Sequence, residues 1–281
     1  MKWRPFFIPV QSMDTALARE LIAKTPQEAL FIIDVRQPGE YEQGHIPGAR
    51  LIPVGELDSR VAEIPVDKPV LVYCAMGGRS RMAAQILSGR GFPEVIDLAG
   101  GFKAWKGVTA VGLPDQGLSL FSGSESIDEV LAAAYSIEDG LRDFYHTMAG
   151  KAANHLTADL FEKLAAIEVK HQDRIYETYM TMAERPMARE RFVAERVDGV
   201  IEGGMTTDEY IARFSPDMTS TVDIISLAIS IEAQAMDLYS RASEKIAAGT
   251  GGKALALLAD EERAHIRELG KLLDTLVKVK G

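Results

Sequence analysis

The stretch Val70-Leu71-Val72-Tyr73-Cys74-Ala75-Met76-Gly77-Gly78-Arg79-Ser80 decides the fold of the first half of the chain. Its first four residues are aliphatic, β-branched or aromatic without a polar break, the pattern of a strand buried on both faces. Two glycines then turn the chain, and residues 80–89 carry helical spacing. Working outward, Leu30-Phe31-Ile32-Ile33 and Val95-Ile96-Asp97-Leu98 repeat the short apolar run, and Thr15–Lys24 repeats the helical spacing. Buried strands alternating with helices predict an α/β domain on a largely parallel sheet.

Beyond residue 110 the pattern changes. Residues 113–125 are rich in Gly and Ser, include Pro114, and are expected to form a linker between domains at 1–112 and 126–281. Strand signals then vanish. The segments 127–149, 158–184, 221–247 and 253–278 are long, amphipathic and mostly free of Pro and Gly. They predict an all-α four-helix bundle. Short turns join the first pair near 150–156 and the second at Gly249-Thr250-Gly251-Gly252. The middle connection, 185–219, is long, contains Pro186, Gly203-Gly204 and Pro216, and carries a short helix at Thr207–Phe214. One long crossover is ferritin-like connectivity.

Composition limits the function. Hydrophobic residues make up 47% and charged residues 26%, as in a soluble globular protein able to bury a core. No apolar run reaches the roughly 18 residues of a membrane span, and the apolar stretch near the start is broken by Pro5 and Pro9. A cytoplasmic protein is expected. Residues 1–118 carry 13 basic and 13 acidic side chains, the remainder 18 and 28, so the whole net charge of −10 lies in the second half. That argues against nucleic acid and suits a carboxylate-rich cation site, although a solvated acidic surface gives the same count. Cys74 is the single cysteine, which excludes internal disulfides and sites of several thiolates.

Cys74 sits where a strand passes through a Gly-rich turn into a helix. Backbone N–H groups in such a turn form a concave nest, the helix N-terminus adds positive potential, and Arg79 adds a full charge. This setting lowers a thiol pKa from about 8.5 into the range of roughly 3.5 to 7.5. The thiolate is then able to attack a sulfane sulfur and carry it as a persulfide; the competing reading is an inert cysteine at a strand end. Residues 8–108 resemble the rhodanese family through Asp34-Val35-Arg36 with Glu40, Gly44-His45-Ile46-Pro47-Gly48-Ala49, the Cys74–Ser80 loop, and Leu98-Ala99-Gly100-Gly101-Phe102 with Trp105. The resemblance implies that Cys74 accepts sulfur. It makes Arg79 and the loop of Ala75, Met76, Gly77, Gly78 and Ser80 the anion pocket, and leaves Asp34, Arg36 and His45 structural. The Cys-x4-Arg loop has the sulfurtransferase length, one residue shorter than in phosphatases on this fold. Ala75 and Met76 are apolar where many thiosulfate-using relatives carry a second basic residue, so polysulfide and small or protein persulfides stand open as donors.

The second half contains Glu168-x-x-His171 and Glu262-x-x-His265. Residues three apart lie on one helix face, about 60° apart. Glu138 precedes Glu168 by 30 residues, and Glu232 precedes Glu262 by 30. Asp143 and Tyr145 follow Glu138 by five and seven residues, as Asp237 and Tyr239 follow Glu232. The two hairpins therefore repeat one arrangement. Four unpaired carboxylates in a bundle core repel and are costly to desolvate; two divalent cations neutralise them, and each imidazole completes one metal. A Glu from each of two helices plus Glu-x-x-His from each of the others is the ligand set of di-iron or di-manganese bundles, and oxygen and nitrogen donors suit iron or manganese, with zinc an alternative. A protonated or hydrated polar core is the plain reading. Tyr145 and Tyr239 are either hydrogen-bond partners of the ligands or core residues. His146 and His155 read as surface residues, the latter in a turn. Residues 125–280 resemble the rubrerythrin branch of the ferritin-like family, which implies a di-iron centre with peroxide or oxygen chemistry. The chain lacks that branch's cysteine-ligated iron site and has Ala235 where an extra Glu is usual.

The expected protein is a sulfurtransferase fused to a di-iron redox module. Its partners are a small sulfur donor, a thiol acceptor and an external electron donor, and it forms a homo-oligomer such as a dimer. The alternatives for the bundle are a non-catalytic iron-binding or sensing module and a dimerisation scaffold.

Overall fold

The structure, a computed structural model, describes residues 10–121, 125–152, 154–194, 207–246 and 250–280. Residues 122–124 of the expected linker and Gly203-Gly204 and Gly249 of the connections lie outside the described residues. The chain divides into two compact units, Met1–Pro114 and Asp115–Gly281.

The first unit runs β1 (Gln11–Met13), α1 (Thr15–Lys24), β2 (Phe31–Asp34), α2 (Pro38–Gln43), β3 (Arg50–Leu51), β4 (Val70–Tyr73), α3 (Gly78–Gly89), β5 (Val95–Leu98) and α4 (Gly101–Ala104). The strands form one parallel sheet in the order β1-β5-β4-β2-β3. Every residue of β2, β4 and β5 is buried, because alternate side chains feed two cores. Phe31, Ile33, Val70, Val72 and Val95 pack with Ala83, Ala84 and Leu87 of α3. Ile32, Leu71, Tyr73, Ile96 and Leu98 pack with Ala18 of α1 and with Trp105. Two covered faces are what unbroken apolar runs require. Asp14 starts α1 by accepting from the Ala16 and Leu17 amides, a side-chain cap on otherwise orphan donors. The carboxyl ends of β2, β4 and β5 lie side by side, the edge where parallel sheets bind ligands, and Cys74 follows β4 there.

The second unit opens with a 3-10 turn at Leu118–Leu120 and continues through α5 (Ile127–Lys151), α6 (His155–Met182), α7 (Arg189–Ala194), α8 (Thr207–Phe214), α9 (Thr221–Lys245) and α10 (Thr250–Lys280). Helix α5 packs chiefly on α6, and α9 on α10. Ser126 and Glu129 form a capping box at the start of α5, Asn154 caps α6, and Ser220 caps α9. Val130, Leu131, Leu238, Leu255 and Leu258 share one core with Phe121. Arg241 donates to the carbonyl of Gln116 and Lys245 to that of Leu118, so residues 116–121 of the expected linker lie along the bundle. Two expected turns differ. His155 begins α6 instead of preceding it, and Thr250-Gly251-Gly252 form the first turn of α10. A Cβ on Gly252 would stand 3.1 Å from the Ser243 carbonyl oxygen; the glycine permits close helix approach.

Candidate functional sites

At the end of β4 the Cys74 sulfur is buried, and the Gly77 amide donates to it at 3.1 Å. Burial pushes the thiol pKa up, but hydrogen bonds from the Ser80 side chain and from the Ser80, Met76 and Gly77 amides outweigh it, and the thiol lies below its ordinary value. Gly77 has φ +97, a conformation open mainly to glycine, and it turns the nest inward. The loop is held from behind. Phe102 N donates to the Cys74 carbonyl at 2.7 Å and Lys103 N to that of Ala75 at 2.9 Å. Gly101, at φ +59, passes so close that a Cβ would fall 2.3 Å from the Cys74 carbonyl oxygen. Of the remaining loop residues, Met76 and Gly78 are exposed, and Ser80 is fully buried.

Arg79 does not stand alone over the sulfur. Its guanidinium makes a two-point ion pair with Glu40, at 2.7 and 2.8 Å. That pairing, assisted against burial by the Gln37 amide, lowers the Glu40 pKa to about 2. The charge of Arg79 is still felt by Cys74, more weakly than by Glu40. Asp97, which nothing in the strand pattern marks, accepts from the Ser80 hydroxyl at 2.5 Å. Asp34 and Arg36 form a buried ion pair at 2.6 Å. Arg36 also donates to the Gly44 carbonyl at 2.6 Å and stacks 4.2 Å from the Phe102 ring centre. His45 stacks on Tyr41, with ring centres 3.6 Å apart. These three residues brace the strand ends and make no contact with the sulfur among those described.

In the bundle all six expected ligands converge. Glu138, Glu168 and His171 form one group, and His171, Glu232, Glu262 and His265 another, with donor atoms in each within 4.8 Å of one another. All are buried except His265, whose side chain is one-fifth exposed. His171 Nδ1 lies 2.8 Å from Glu168 and 3.2 Å from Glu138. Its direction gives the hydrogen bond to Glu138, and both Glu168 oxygens accept no hydrogen bond; neither does Glu232 Oε2. The two imidazoles stack 3.8 Å apart. Burial drives Glu168 and Glu232 well above the carboxylate range and Glu262 to about 8. Burial acts likewise on Glu138, but His171 and Tyr239 outweigh it and lower its pKa. Four buried carboxylates face two imidazoles, three of the carboxylate oxygens accept no hydrogen bond, and the oxygen and nitrogen donor set fits divalent cations.

The duplication is incomplete. Tyr239 donates to Glu138 at 2.7 Å, from the opposite hairpin. Its counterpart Tyr145 is buried against Phe161, with ring centres 6.3 Å apart. Asp237 is buried on Arg241 at 2.7 Å, whereas Asp143 is two-thirds exposed beside Arg142. Sequence reasoning missed a polar fastening of α5 to α6: Gln172 donates to Asp139 at 2.9 Å, with Arg142 2.8 Å from the same carboxylate. The equivalent positions of the other hairpin are the apolar Ala233 and Ile266. His146 is half-exposed, 3.1 Å from Glu162.

Fold and sites together define a class: an α/β domain presenting a cysteine loop, followed by a ferritin-like helical bundle with a carboxylate–histidine cluster. The chain belongs to the rhodanese family, and its second half carries a rubrerythrin domain: the Rhodanese-like domain family matches residues 15–107 and the Rubrerythrin family residues 129–215. It is 36% identical over 96 residues to a sulfurtransferase of Allochromatium vinosum, covering 34% of this chain and 88% of that one. It is 53% identical over 76 residues to the Bacillus subtilis protein YqhL, covering 27% of this chain and 60% of that protein's length. Among solved structures it is similar to a rhodanese-like domain protein from Staphylococcus aureus, at 25% identity and TM-score 0.34 over 36% of this chain and 98% of that chain. A rhodanese with anions from E. coli is 38% identical, with TM-score 0.28 over 30% and 100% of the two chains. No helix among the described residues is long and apolar enough to cross a membrane.

Proposed function

We propose that the first unit is a sulfurtransferase that carries sulfane sulfur on Cys74, and that the second holds two iron ions for redox chemistry with peroxide or oxygen. The observation supporting the first part is the convergence of three amides and a serine hydroxyl on one buried sulfur. The thiolate attacks the outer sulfur of a donor R–S–S⁻. The new S–S bond leaves a Cys74 persulfide, and R–S⁻ departs with the electron pair of the broken bond. An acceptor thiolate then takes the outer sulfur and restores the Cys74 thiolate. The amides stabilise the anion at each stage without reorganising. Because Glu40 already engages Arg79, the reading favours donors that do not depend on a free guanidinium at the loop, polysulfide or small persulfides among them.

The orphaned carboxylate oxygens support the second part. Glu138, Glu168 and His171 would hold one ion, and Glu232, Glu262 and His265 the other, with manganese or zinc as alternatives to iron. When bound, such a pair supplies electrons to peroxide or oxygen, replenished by an external donor. Tyr239 orients Glu138. Treatment with glutathione persulfide should add one sulfur to Cys74 by mass spectrometry, and Cys74→Ser should add none. Anaerobic Fe(II) loading followed by desalting should leave about two irons per chain, lost in a Glu262→Ala, His265→Ala double variant. Sulfur transfer that survives Cys74→Ser, or a chain that retains no metal, would sink the corresponding half of the reading.

A further inference from the structure

The Ser80 hydroxyl has two claimants and one proton. Its oxygen lies 2.5 Å from Asp97 Oδ1, and the same side chain is within hydrogen-bond reach of the Cys74 sulfur. A carboxylate only accepts, so in the observed geometry Ser80 donates to Asp97. Toward sulfur it then offers a lone pair, which suits S–H, and its lowering of the thiol pKa is exerted only when the hydroxyl turns from Asp97 to the sulfur. Both Ser80 and Asp97 are buried. Asp97 Oδ2 has no hydrogen-bond partner. The cation paired with it, Arg81, stands 3.7 Å away with a side chain two-thirds exposed. The other charged groups near the sulfur are Arg79 of α3, engaged by Glu40 of α2, and Lys103 of α4, whose side chain is exposed.

We propose that Asp97 is a positioning residue that sets the ionisation of Cys74 by competing for the Ser80 proton. With Cys74 as a thiol, Ser80 donates to Asp97 and accepts from S–H. When the thiol proton leaves to solvent or to an incoming thiolate, the hydroxyl turns to the sulfur, and Asp97 Oδ1 loses its donor. Ionisation therefore carries the cost of a stripped buried carboxylate as well as charge repulsion. The amides lower the thiol pKa; Asp97 limits how far, holding the empty enzyme partly as a thiol that resists adventitious alkylation and oxidation. The inference rests on Cys74 being the reacting sulfur.

The test is the pH profile of Cys74 alkylation by iodoacetamide in the full chain. Asp97→Asn keeps the shape and a weaker, neutral acceptor; Asp97→Ala removes the acceptor. The midpoint should fall in Asp97→Asn, giving about tenfold more thiolate below both midpoints, and fall further in Asp97→Ala. Ser80→Ala should raise the midpoint more in the Asp97→Asn background than in the wild type, because only there is the hydroxyl committed to sulfur. An unchanged or raised midpoint in folded Asp97→Asn overturns the proposal, whether or not Asp97→Ala folds. Failure of the wild type to take up sulfur from polysulfide would instead overturn the sulfurtransferase reading and leave the alkylation result to judge Asp97.

Discussion

Glu40 and Arg79 show how one residue pair shapes a site. The carboxylate takes both guanidinium donors at 2.7 and 2.8 Å, which leaves an incoming anion to compete with it. Glu40→Gln keeps an acceptor but removes the charge. The thiosulfate concentration that protects Cys74 from alkylation should then fall roughly fivefold, the effect of relieving about 1 kcal/mol of competition at a partly exposed pair. An unchanged protection constant would mean that Arg79 already turns freely to anions. The same pair predicts a pH dependence. The Glu40 pKa is lowered from 4.5 to about 2, so its contribution to stability is complete above the unfolded value and is lost as pH falls through the folded one. The melting-temperature gap between wild type and Glu40→Gln should hold from pH 8 to about pH 5 and close toward pH 2. A gap independent of pH would show that the charge contributes nothing.

At the scale of elements, the loop and its brace behave as one object. Alanine at Gly101 would place Cβ 2.3 Å from the Cys74 carbonyl oxygen, whereas Gly91, at φ +95, has open space around it. Gly91→Ala should cost only the strain of its conformation, about 1 kcal/mol. Gly101→Ala should cost more and slow Cys74 alkylation at least tenfold by moving the nest. Equal effects of the two variants on alkylation would refute the brace. The sequence makes β4 and β5 legible because both faces of each are buried. It hides β1 and β3, short edge strands whose residues are exposed or half-buried and carry no apolar run. Tyrosines seven residues after Glu138 and Glu232 return to within about 20° of the same helix face, which is why they are buried near the cluster. Aspartates five residues on are about 140° away. Asp237 is buried and accepts from Arg241, which also donates to the Gln116 carbonyl. Asp97, Glu40 and Gln172 acquire their partners across elements, a meeting that no local pattern encodes.

For the whole molecule, the division of the chain into two compact units, Met1–Pro114 and Asp115–Gly281, decides what can be separated. The sheet faces close on α1 and α3, and the bundle closes on its own helices and Phe121. The first unit holds Gly112 through the Glu42 carbonyl, and the second holds Gln116 through Arg241, so each side of a cut between Pro114 and Asp115 is anchored within its own unit. Each piece should fold alone, with sulfur uptake per Cys74 in 1–114 and iron per chain in 115–281 within about twofold of the intact protein, as additivity of independent sites requires. The bundle piece should also respond to its own charge deficit. Glu168 is buried with neither oxygen in a hydrogen bond, and burial outweighs its ion pair with His171 at 2.8 Å, so Glu168→Gln removes a desolvation cost of about 1–3 kcal/mol and should raise the melting temperature of metal-free protein by several degrees. The same change deletes a ligand, so the further rise that Fe(II) gives the wild type should be largely lost. The opposite pattern, a destabilised metal-free bundle that still gains stability from iron, would mean that the His171 ion pair outweighs the burial of Glu168 and that the ions bind elsewhere.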